Sequence, residues 1–176
     1  VNGTGVAELD LFPNRSGDYS VIWRAGSTTD GSKMGLLLRA NGEAGSCAYA
    51  EGLKQGYLFI VNHTADQRLL LKPYVAGASG LTAKATHTSS FTVPTNKTYW
   101  LRASAYGPNL VFECSSDSLN WEGAASTTFT DTTYIVGGTQ LVWGLNSNNY
   151  SGVIDNLTLL ESQLSTSVLK LGNLTY

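Results

Sequence analysis

Between residues 143 and 150 the chain reads Trp143-Gly144-Leu145-Asn146-Ser147-Asn148-Asn149-Tyr150, two rings bracketing a run of small amides and a hydroxyl. A pyranose offers a C–H face that stacks on an aromatic ring, and hydroxyls that need fixed donors and acceptors. This makeup on a connection between strands therefore suits carbohydrate. Tyr150, Asn146 and Asn148 are the candidates for exposed contacts. Trp143 stays in phase with Leu141 and Leu145, so a core position is slightly favoured for it over a ligand platform. Trp100, Arg102 and Tyr106 form a second candidate group, on the polar face of a hairpin.

Other chemistries find less support. Glu43, Glu51, Glu113, Glu122 and Asp131 stand alone in sequence and meet only if the fold joins them. His63 and His87 are isolated, and neither accompanies a G-x-S-x-G elbow or a zinc-type Cys/His spacing. Cys47 and Cys114 allow one disulfide in an oxidising compartment, but a buried free thiol is the commoner outcome. Asn-x-Ser/Thr occurs at Asn2, Asn14, Asn62, Asn96, Asn149, Asn156 and Asn173. Asn and Thr crowd into β-turns, which explains most of this, while N-glycosylation of a surface protein is the sharper reading. Asn156 falls inside an expected strand and makes a poor acceptor.

The elements that must position these residues are strands. Apolar residues recur in short or alternating runs separated by Gly, Asn, Asp, Ser and Thr, with almost no helical period. Strands are expected at 6–12, 18–25, 33–40, 56–62, 67–75, 91–93, 97–105, 109–114, 139–145, 151–161 and 168–171. A turn at Tyr106-Gly107-Pro108-Asn109 sets Ala105 opposite Leu110. That register puts Leu101, Ala103, Phe112 and Cys114 on the core face and Arg102 opposite Glu113 on the other. On the strand at 151–161, Ile154 is out of phase with Leu157 and Leu159, which calls for a bulge at Asp155-Asn156. Trp23, alternating with Tyr19 and Val21, reads as core.

A chain of 176 residues makes one domain, able to bury a core without staples. Net charge is −2 and no Lys/Arg run exists, so nucleic acid is an unsuitable partner. No apolar stretch approaches the roughly 20 residues of a membrane-spanning helix, so insertion is not expected. A start at Val1 suits a mature exported product. Residues 164–176 are too apolar for a free end and form a further strand, paired within the domain or exchanged with an identical subunit.

In residues 97–161, two hairpin strands are followed by the turn Ser115-Ser116-Asp117-Ser118-Leu119-Asn120-Trp121 and a closing strand with Gly152-Val153-Ile154-Asp155-Asn156. This order resembles the laminin-G-like, or concanavalin A-like, lectin/glucanase sandwiches. The resemblance implies an all-β, two-sheet antiparallel jelly roll that binds sugars or proteins outside cells. It further implies that Trp121 is a buried turn tryptophan, and that Arg39, ending Gly35-Leu36-Leu37-Leu38-Arg39, lines the concave face or forms a salt bridge. A structural calcium at Asp155 with Glu8 or Asp10 follows if the first and last strands pair, although Asp155 as a simple backbone cap is slightly favoured. Hydrolytic relatives carry Glu-x-Asp-x-Glu on one strand, and Glu8-Leu9-Asp10-Leu11-Phe12 lacks the third acid. The sequence thus points to a non-catalytic extracellular glycan-recognition domain. A structural subunit of a virion or surface fibre is the alternative, and a glycoside hydrolase the second.

Overall fold

The structure, a computed structural model, describes residues 5–9, 15–16, 18–27, 33–41, 53–143 and 152–161. Strands are numbered along the chain. The larger sheet runs in the order β1 (Gly5–Leu9), β12 (Val136–Trp143), β4 (Lys33–Asn41), β5 (Gln55–His63), β6 (Leu69–Gly77) and β7 (Gly80–Ala83). Two short strands join it, β2 (Arg15–Ser16) on β12 and β8 (His87–Thr88) on β6. The smaller sheet runs β11 (Phe129–Thr130), β10 (Asn109–Ser115), β9 (Thr98–Tyr106), β3 (Tyr19–Ser27) and β13 (Gly152–Glu161). All pairings are antiparallel, and the one described helix, α1 (Ala124–Thr127), is a single turn. The domain is the expected all-β sandwich.

The main core fills the space between the sheets. Trp23, Leu36, Leu38, Phe59, Leu71, Leu101, Ala103, Phe112 and Cys114 are all fully buried there. Phe112 stacks on Trp23 with ring centres 6.1 Å apart and meets Phe59 edge-on at 5.4 Å. Both separations lie in the range where aromatic pairs add to simple burial. A second apolar cluster covers the opposite face of the larger sheet, with Leu37, Leu58, Ile60, Val142 and Leu53 buried. Burial on both faces explains why β4 reads Met-Gly-Leu-Leu-Leu instead of alternating. Gly35 belongs to this crowding, since a Cβ there would stand 1.9 Å from the Phe59 carbonyl oxygen.

The hairpin register is as expected, with Ala105 opposite Leu110 and Arg102 opposite Glu113. The bulge on β13 is also found, the register shifting between Asp155 and Thr158 with Asn156 at φ 50°. Other expectations need correction. Residues 91–93 form no strand; that stretch follows the short β7 and β8, whose few residues gave no periodic signal. The first strand pairs with β12, and β13 with β3 in the other sheet, so among the described residues these two strands share no hydrogen bonds. The expected strand at 168–171 lies outside the described residues.

Candidate functional site

Antiparallel register writes the outer face of the smaller sheet as cross-strand rows. One row is Asp155, Arg24, Trp100 and Ser115; the next carries Thr158, Ile22, Arg102 and Glu113. The third holds Leu160, Ser20, Ser104 and Val111. Arg24 donates from Nε and Nη2 to the two Asp155 oxygens at 2.8 and 2.6 Å, and its guanidinium lies 6.0 Å from the Trp100 ring centre. Arg102 grips Glu113 in the same way, at 2.6 and 2.8 Å. Ser20 bonds both Ser104 and Tyr106, at 2.8 and 2.6 Å. Ser20, Ser104 and Ser115 are buried, so the strip presents Trp100, Tyr106 and the two arginines with their charges already paired.

The turn after β10 adds a cleft to this face. Cys114 and Glu122 exchange backbone hydrogen bonds of 2.9 Å each, closing the intervening residues into a loop. Asp117 organises that loop, accepting from the Leu119 and Asn120 amides, the Asn120 side chain and Ser115 Oγ at 2.8–2.9 Å. Hydrogen bonds from the Asn120 and Leu119 amides, with smaller help from the Asn120 and Ser115 side chains, hold its carboxyl far below the usual range. Trp121 leaves the loop half-buried, with the Arg102 guanidinium 4.3 Å from its ring centre. Ser90, Phe91, Ser116, Asp117, Asn120, Trp121 and Glu122 line a cleft of ≈ 370 Å³, within the size range of small-ligand sites.

The expected residues divide sharply. Trp100, Arg102 and Tyr106 do share the outer face of the smaller sheet, and Tyr106 is 43% exposed. Tyr150, Asn146 and Asn148 lie outside the described residues, and of Trp143 only its backbone place on β12 is described. Arg39 is no ligand contact, being only 2% exposed. It sits at a β4 irregularity with φ 52°, its guanidinium donating to the carbonyls of Gly107 (2.8 Å) and Tyr134 (3.2 Å). Trp121 corrects the opposite way: expected as core, it borders the cleft because the Asp117 loop carries it onto the sheet's outer face. The cleft residues Ser90, Phe91, Asp117, Asn120 and Glu122 were not among the sequence candidates. The one signal for them was the S-x-D-x-x-x-W turn itself.

Calcium at Asp155 does not fit the described residues. Both carboxylate oxygens bond Arg24, whose cation stands in place of a metal, and this pairing holds the Asp155 carboxyl below its ordinary value. Glu8, known here by its backbone alone, is on β1 of the other sheet, and Asp10 lies outside the described residues. Calcium needs six to eight oxygens, and none of these is gathered here. Cys114 is a free thiol in the core, the favoured of the two expectations for it; Cys47 lies outside the described residues. Among the sequons, Asn96 is exposed in a turn at φ 68°, and Asn156 is exposed at the bulge instead of occupying a regular strand position. Asn62 has its amide oxygen buried within β5, whereas Asn2, Asn14, Asn149 and Asn173 lie outside the described residues. Among the described residues no helix is long and apolar enough to cross a membrane.

Comparison with known proteins places this fold. No protein-family model matches the chain, and no curated protein is significantly similar to it. Among solved structures, carbohydrate-binding module CBM66 from Bacillus subtilis is similar at a TM-score of 0.62 with 19% identity, covering 92% of this chain and 84% of that one. The exoplasmic/lumenal domain of VIP36, in a form bound to Ca2+ and Man3GlcNAc, is similar at 0.60 with 12% identity, covering 97% and 81%. The heptameric SAP-like pentraxin from Limulus polyphemus is similar at 0.54 with 12% identity, covering 90% and 70%. The chain has the concanavalin A-like jelly-roll fold. Identities this low carry the architecture and not the binding residues.

Proposed function

We propose that this domain recognises glycans without catalysis, outside the cell or in a lumenal space, through the Trp121 cleft and the adjoining Trp100 face. The carrying observation is the half-buried Trp121 ring, braced by Arg102 at 4.3 Å and bordered by Asp117, Asn120, Ser90 and Glu122. A ring held in place loses little freedom when a sugar stacks on it, and the surrounding oxygens and amides match hydroxyls. The carbohydrate-binding neighbours support the same reading at the level of fold. Commitment of the acids supports the non-catalytic part. Asp117 is kept ionised and cannot act as a general acid, Glu113 is tied to Arg102, and Glu122 accepts from Ser90 N–H and Oγ. Among the described sequons, Asn96, exposed in its turn, is the one best placed to carry a glycan of the domain's own.

The test is a glycan array followed by titration of the strongest hit. Trp121→Ala should weaken binding about tenfold, the scale of a lost aromatic contact of about 1.4 kcal/mol. Absence of any binder, or full affinity in Trp121→Ala, would remove the assignment to this cleft. Concentration-dependent assembly without glycan binding would favour the structural-subunit reading instead.

A further inference from the structure

Beside the cleft, three metal-ligating side chains converge from three parts of the chain. His87 is on β8 of the larger sheet, Cys114 on β10 of the smaller, and Glu122 follows the Asp117 loop. Their ligating atoms all lie within 4.8 Å of one another. Glu122 Oε1 is 3.7 Å from His87 Nε2 and 3.8 Å from Cys114 Sγ. The 3.7 Å gap is too long for a hydrogen bond and makes an ion pair only when His87 is protonated, so His87 Nε2 is buried without a hydrogen-bond partner. A buried polar atom left this way needs an explanation, and a role as a metal ligand is one.

The surroundings are built for such an ion. Ser90 donates its N–H and its hydroxyl to the Glu122 carboxylate, orienting it as outer-shell donors orient a ligand. Gly123, at φ +110°, clears the space: a Cβ there would stand 3.3 Å from His87 Cδ2 and 3.0 Å from the Phe112 carbonyl oxygen. The Glu113 carboxylate is already paired with Arg102, and among the described residues the ion-pair partner of Glu122 is His87, charged only when protonated. Cys114 Sγ donates a hydrogen bond to Glu122 Oε1; burial first, then the Glu122 charge and this hydrogen bond, push the thiol far up. A bound dication would reverse that, because a coordinating thiol loses its proton.

We propose that His87 Nε2, Cys114 Sγ and a Glu122 oxygen bind a zinc-class ion that ties β8 of one sheet to β10 of the other. Sulfur, imidazole nitrogen and one carboxylate suit zinc or cobalt and not calcium, which takes oxygens alone. Metal–ligand lengths of about 2.0–2.3 Å in a tetrahedron require ligand separations of about 3.3–3.6 Å. The two gaps at 3.7 and 3.8 Å therefore close by a few tenths of an ångström, and the His87–Cys114 separation, within 4.8 Å, by up to about an ångström. Three protein ligands leave the fourth position to water or an incoming group. Glu122 and Ser90 also border the glycan cleft, but the metal site does not depend on glycan binding and no sugar enters its test.

The full chain, reduced and stripped with a chelator, is titrated with Zn2+ calorimetrically and with Co2+ by absorption. The expected result is one equivalent bound, a thiolate-to-cobalt charge-transfer band, and a higher melting temperature. Cys114→Ala should lose the band, and His87→Gln should weaken Zn2+ binding by more than roughly tenfold, the least that even outer-shell changes cost. Cys47→Ala should keep the band. Should a core variant fail to fold, the wild-type cobalt spectrum decides alone. No zinc binding, no thiolate band, or a band lost only in Cys47→Ala would overturn the proposal.

Discussion

Glu113→Gln tests whether the outer face of the smaller sheet is held by its charges. The Glu113 side chain is 10% exposed and that of Arg102 28%, so the pair lies between the exposed and buried limits. Exposed pairs contribute about 0.2–1 kcal/mol, whereas breaking a buried one costs about 3–5. Two short, parallel hydrogen bonds place this pair near the middle, and removing one partner should cost about 2 kcal/mol. A urea slope of about 2 kcal/mol per molar converts that to a midpoint lowered by about 1 M. Arg102→Met should cost somewhat more, because it also removes the contact with Trp121, worth about 0.5–2 kcal/mol. The double variant should lose less than the sum by about 1 kcal/mol or more, since neither charge is then left unpaired. Coupling below about 0.3 kcal/mol would mean independent residues, and the account of a braced Trp121 would fail with it.

Acid should loosen the cleft loop through Asp117. Its folded value is depressed, so its contribution is present above the unfolded value of about 3.9 and is lost as pH falls through the folded one. Asp117→Asn should flatten the acid limb of a stability–pH profile; an unchanged limb would dismiss the loop's role. Tyr57, pushed up to about 12 chiefly by burial, bonds Asp131 and the Tyr134 amide. Stability tied to it is complete below the unfolded value of about 10 and is lost as pH rises toward about 12, so Tyr57 should titrate late by ultraviolet absorption, with Tyr19 and Tyr134 also raised by burial. Gly35→Ala should prevent folding, because its methyl would sit 1.9 Å from a backbone oxygen that cannot yield alone. A soluble variant with unchanged circular dichroism would refute that packing.

The sequence by itself determined what depends on neighbours along the chain. The Gly107-Pro108 turn and the alternation around it fixed the β9–β10 register, and with it the pairing of Arg102 with Glu113. The phase change after Ile154 located the bulge, and many short apolar runs set the all-β class. Tertiary structure decided the rest. Which sheet β1 joins depends on long-range pairing, and an alternating strand carries no address for its partner. The continuous apolar run of β4 is compatible with several positions until a second cluster covers its outer face. Trp121 and Arg39 exchanged expected roles because a loop carried the ring out onto the sheet, while a β4 irregularity turned the guanidinium toward buried carbonyls. His87, Cys114 and Glu122 carry no shared motif. They meet because two sheets close on each other there, and packing between sheets has no local signature.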